Sequence, residues 1–123
     1  MGRNMVKKFD ITGIGNAIVD VIVNVEDKYL EDQDIRKGMM SLVDLKTIEN
    51  ISDTIEIKTT VSGGSVANSI VALAQNGINT AFIGKVSNDE IGSKFIDGLE
   101  SENVTFACNA QGDDSKSGRC IVM

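Results

Sequence analysis

The apolar positions of the chain follow two different periods. Phe9 to Ile14 is a short apolar run ending in Gly13 and Gly15, which predicts a buried strand. Val19, Val21, Val23 and Val25 then alternate with Asp20, Ile22, Asn24 and Glu26. That is the period of a strand with one apolar face. Glu26 to Gln33 is polar and reads as loop or a helical turn. Gly38 to Val43 reads as a short strand, and Asp44 as the cap of a helix starting at Leu45. Thr54 to Val61 alternates and is rich in β-branched residues, so a further strand is predicted there.

From residue 65 the helical period takes over. Val66, Ile70 and Leu73 at i, i+4, i+7 predict a helix over residues 65–76, with Ser65 as its cap and Gly77 as its stop. Thr80 to Val86 predicts a strand. Ser87-Asn88-Asp89-Glu90 fits a capping box and opens a helix that buries Ile91, Phe95 and Leu99. Val104 to Cys108 and Arg119 to Met123 read as two more strands, joined by a polar turn. Alternation of strand and helix argues an α/β domain with a mainly parallel sheet. The strands near 19–25 and 39–43 instead suit a small sheet with one open face. Residues 1–8 read as an extension and residues 9–123 as one domain. The pattern breaks off inside Ile121-Val122-Met123, so the chain is expected to be the N-terminal part of a longer protein.

Composition narrows the chemistry. The chain has 123 residues, enough for a real core. Its formal net charge of -6 offers no basic field, so neither nucleic acid nor an anionic membrane is expected as partner. It has no histidine, which removes triads built on that base and the commonest metal ligand. The two cysteines, Cys108 and Cys120, are too few for a four-cysteine zinc site and read as reduced thiols of a cytoplasmic protein, with a disulfide between them as the alternative. No signal-peptide or membrane-spanning run is present.

Two stretches carry candidate chemistry. In TTVSGGSVANSIVALAQNG, residues 59–77, the Gly63-Gly64 pair stands directly before a helix. Adjacent glycines let a ligand approach the backbone, and the helix start offers outward N–H groups at the positive end of its dipole. Asn68 lies in the first helical turn, away from the apolar stripe, and its amide suits a sugar hydroxyl. A plain turn with a serine cap explains the same residues. In GIGNAIVD, residues 13–20, Ile18 stands where a dinucleotide fingerprint needs a third glycine, and a strand follows instead of a helix. Asn16 sits just past the first strand, where ligands gather in α/β sheets. Asp20 lies on the polar face of the next strand, where its carboxylate can accept two hydrogen bonds from a vicinal diol or simply face water.

The ordered set GIGNAIVDV, GMMSLVD, SGGSVANSIVALAQNG, AFIGKVSNDEIG, ENVTF and SGRCIVM resembles the ribokinase/PfkB carbohydrate kinase family, nearest its adenosine-kinase-like branch. The resemblance runs from Phe9 to Met123 and departs from the strictest sugar-kinase pattern at Val66. It implies a three-layer ribokinase-like α/β fold with a small β-sheet lid, whose strands would lie near 18–26, 38–43 and 117–123. It implies ATP-dependent phosphorylation of a primary hydroxymethyl group on a sugar or nucleoside. By the same likeness Asn16, Asp20, Gly63, Gly64 and Asn68 would bind the sugar, with Met40 and Cys120 packing on a base. ATP, Mg2+ and the catalytic aspartate are expected beyond residue 123, because Gly112-Asp113-Asp114 precedes a strand rather than a helix. These 123 residues alone are therefore expected to be inactive. The competing expectation is a non-catalytic module of the same fold, a homodimer through the lid.

Overall fold

The computed structural model describes residues 6–112 and 114–123. Residues 1–5 of the expected extension, and Asp113, lie outside the described set. Three strands make the first sheet: β1 (Ile11–Ile14), β4 (Thr80–Ile83) and β5 (Val104–Phe106). All pair in parallel in the order β1-β4-β5. A second sheet holds β2 (Ile18–Val23), β3 (Ile57–Gly63) and β6 (Gly118–Val122) in the order β3-β2-β6. There β2 pairs antiparallel with β3 and parallel with β6.

Among the described residues four helices complete the set: α1 (Asp27–Asp32), α2 (Leu45–Thr54), α3 (Ser65–Gln75) and α4 (Glu90–Ser101). The α3 helix packs on β1 and β4, while α4 packs on β5 and on all three strands of the second sheet. Ser62 fixes that second contact, its hydroxyl donating to the Phe95 carbonyl at 3.1 Å. Gly98 lies so close to the Ser62 hydroxyl that no side chain fits between them.

One core therefore serves both sheets. Val19, Val21 and Val23 bury the odd-numbered face of β2, and Phe82, Phe95 and Phe106 stack between α4 and the first sheet. Their ring centroids lie 5.6 to 6.5 Å apart, in the range where tilted and edge contacts attract. The period-two reading of β2 holds residue by residue.

Other expectations need correction. Residues 38–43 form no strand. Met39, Met40 and Leu42 are 60%, 82% and 94% exposed, and the partner at β2's second edge is β3, from residues 57–63. The apolar run GMMSLV supplied side chains of the right kind but no ladder. Asp44 does cap α2, accepting from the Thr47 N–H at 2.8 Å, but the helix runs on to Thr54, so β3 starts later than the alternation suggested. Ser65 is not the cap of α3; Gly64 is. Ser87 is not the cap of α4 either. Asp89 takes that place, and Ser87 is drawn into an isolated bridge with Gln111.

Candidate functional site

Alternation on β2 sends Asp20 to the face opposite the valines, half-buried among Ile18 and Ile22. Ladder register sets Val61 of β3 and Cys120 of β6 on either side of Asp20. Val61 and Val122 are 49% and 44% exposed, so this face of the second sheet is open. An acidic side chain thus stands in an open, largely apolar surface.

The glycine pair meets this face from one end. A β-carbon built on Gly63 would lie 2.5 Å from Oδ2 of Asp20, so the carboxylate rests directly on the Gly63 backbone. Gly64 follows with φ of 100° and ψ of 136°, a conformation that only glycine adopts readily. Its α-carbon presses on the Asn16 carbonyl, which a β-carbon would approach to 2.7 Å. No side chain caps α3 at Gly64. Its first-turn N–H groups are left to water or a ligand, at the positive end of the dipole. The Asn68 N–H closes that first turn onto the Gly64 carbonyl at 2.9 Å, and the residue is exposed. Contacts therefore join Asn16, Asp20, Gly63 and Gly64 where β2, β3 and α3 meet, and Asn68 stands one turn into α3.

Beside this junction lies a cleft of about 440 Å³, past the carboxyl ends of β1 and β4. Asn16, Ile18, Gly84, Lys85 and Gly118 are among its lining residues. Gly13 and Gly15 allow α3 to approach, since a β-carbon at either would strike the Val66 side chain.

Cys120 belongs to the same face through its pairing with Asp20. Burial pushes its thiol up from the usual range, and the neighbouring Asp20 charge adds to the rise. Cys108 and Cys120 are both free. Met40 is not brought to the junction; it stands exposed in the irregular segment before α2.

Asp89 is a residue whose second role sequence reasoning missed. Its Oδ1 accepts from the Gly92 N–H at 2.7 Å, and its Oδ2 accepts from the Ser117 N–H at 2.9 Å. Burial works against its charged form, but these bonds to Ser117 and Gly92, with the Lys116 charge, outweigh it and hold the carboxyl below the usual range. The partner at Ser117 lies 28 residues away, beyond the reach of a local motif.

Among the described residues no group of three or more His, Cys, Asp or Glu side chains could hold a metal ion. Nor is any helix of the described residues long and apolar enough to cross a membrane.

Known proteins share this fold. A probable sugar kinase from Rhizobium etli CFN 42 superposes with a TM-score of 0.79 at 29% identity, over 94% of this chain and 35% of that one. Adenosine kinase from Sinorhizobium meliloti gives 0.79 at 31% identity, with the same coverage. Adenosine kinase from Schistosoma mansoni in complex with tubercidin shares the fold with a TM-score of 0.77 at 19% identity, over 91% of this chain and 35% of that one. This chain thus spans about a third of the length of those structures. Among curated proteins none matches. The profile of the pfkB family carbohydrate kinases matches residues 10–123, and the chain belongs to that family.

Proposed function

We propose that this chain forms the substrate side of an ATP-dependent kinase that phosphorylates a primary hydroxymethyl group on a sugar or nucleoside. The observation that supports the reading best is the Asp20 carboxylate seated on Gly63, next to the uncapped start of α3. In this reading Asp20 accepts from two vicinal hydroxyls, the N–H groups after Gly64 donate to a sugar oxygen, and Asn68 offers both a donor and an acceptor. Asn16 lines the neighbouring cleft. Cys120 packs on a base. The open sheet acts as a lid that excludes water, so that phosphate passes to the substrate hydroxyl. ATP supplies the phosphoryl group, and the catalytic base and Mg2+ site belong outside these 123 residues, so the chain by itself transfers no phosphate.

Calorimetric titration with adenosine, ribose and fructose tests this. Saturable binding of one of them, abolished by Asp20→Ala and weakened by Asn68→Ala, is the expected result. Undiminished affinity in both variants refutes the site.

A second reading is favoured by the exposure of Val61 and Val122 on the open face. Under it the module binds without catalysis and pairs with a second copy through that face. Sedimentation tests this reading, since the wild type would then be a dimer that Val61→Lys splits, and a monomeric wild type would remove it.

A further inference from the structure

We propose that Asp89 is a positioning residue for the substrate face, acting through β6 and not through contact with substrate. Among the described residues β6 pairs only with β2. Its register nevertheless decides the site, because it sets Cys120 opposite Asp20 and Gly118 opposite Ile18 beside the cleft.

The segment leading into β6 is fastened stepwise to residues 86–89. The Gln111 N–H donates to the Val86 carbonyl and the Asn88 N–H to the Gln111 carbonyl, both at 2.8 Å. The Ser87 and Ser115 hydroxyls lie 3.2 Å apart. The Ser87 N–H donates to the Ser117 hydroxyl at 2.9 Å. Last, the Ser117 N–H donates to Asp89. That final bond is the charged one, and it holds the residue immediately before Gly118. Ser87 and Ser117 are 4% and 7% exposed, so water competes little for these bonds. Gly92 completes the arrangement. A β-carbon there would strike the Ser87 carbonyl and come within 2.9 Å of the Ser117 hydroxyl, so α4 sits directly on the fastening.

Capping a helix takes one acceptor oxygen. Asp89 uses both, one for α4 and one for β6, and so ties the core helix to the strand that carries Cys120. The consequence for ligand affinity rests on the substrate reading above; the fastening itself does not.

The test compares the wild type with Asp89→Ser, which keeps a capping hydroxyl and lacks the second oxygen. Hydrogen exchange is followed at the ladder amides of β6, with β3 and α4 as internal references. Loss of one charged hydrogen bond should speed β6 exchange about tenfold or more, with β3 and α4 unchanged. Affinity for the nucleoside or sugar that the wild type binds should fall with it. Faster exchange in α4, or equal change in β3 and β6, would show a capping role only and overturn the proposal. If Asp89→Ser does not fold, the wild type decides the matter. Its Ser117 amide must be protected as strongly as the β2 ladder, and rapid exchange there overturns the proposal. If the wild type binds none of the ligands, the substrate reading fails while the exchange pattern still judges the fastening.

Discussion

The carboxylate of Asp20 rests on the α-carbon of Gly63, across the junction of β2 and β3. Nothing larger than hydrogen fits between them, so the glycine sets where the carboxylate stands. The obstructing atoms belong to the far end of a short side chain, which can swing aside without moving the sheet. Gly63→Ala should therefore fold, with melting shifted by only a few degrees, yet move Asp20 off its seat. Affinity for the bound sugar or nucleoside should fall about tenfold or more, the effect of one misplaced charged hydrogen bond. Unchanged affinity in a folded Gly63→Ala protein, read by calorimetry, would remove Asp20 from the site.

The next glycine behaves differently. At Gly64 a β-carbon would strike the Asn16 carbonyl, which is backbone, and the φ of 100° is closed to other residues. Neither problem relaxes by a side-chain rotation. Gly64→Ala should lose about 1–3 kcal/mol of stability from the backbone conformation alone. Gly64→Val should lose more, and a variant that still folds should bind and turn over poorly, since the turn before α3 is displaced. Urea denaturation of both variants measures the loss; wild-type stability in Gly64→Ala would contradict the strained turn.

Much of this was legible in the residues, and the failures share a cause. Periods of two and 3.6 located β2, α3 and α4 because each buries one face, and burial leaves a local pattern. Asp44 was readable as a cap because its partner, Thr47, is three residues away. GMMSLV misled because apolar content says nothing about where a ladder partner stands, and β2 had already taken β3 and β6 as neighbours. Both serine caps failed because a better-placed residue lay within two positions: glycine at the strained turn, and aspartate where two N–H groups converge. The placing of Asp20 on its strand's polar face came from alternation. Its contact with Gly63, 43 positions along the chain, needed the register of β2 on β3.

Cys120 gives a handle on the Asp20 charge. Its thiol is raised by burial first and by the facing carboxylate second. Removing that charge with Asp20→Asn should lower the thiol pKa and so increase the thiolate fraction near pH 8. Alkylation of Cys120 by iodoacetamide, counted by mass spectrometry against Cys108, should then run faster than in the wild type at the same pH. A ligand held between Asp20 and Cys120 should slow it. An Asp20→Asn protein with wild-type alkylation would separate the two side chains.

Acid should weaken the protein partly through Asp89. Its carboxyl titrates lower in the folded chain than in the unfolded one, because Ser117 and Gly92 donate to the charged form. A group with a depressed folded pKa contributes its full stabilisation above the unfolded value, near 3.8. That contribution is lost as pH falls from there through the folded value. Between pH 7 and about pH 5 it should be nearly constant, and below pH 4 it should fade. Asp89→Ala removes the cap at every pH and should cost about 1 kcal/mol or more at neutrality. The decisive comparison is the slope. Melting temperatures of wild type and Asp89→Ala, taken from pH 7 to pH 3, should converge on the acid side, and parallel curves would show that the Asp89 charge contributes nothing to the folded state.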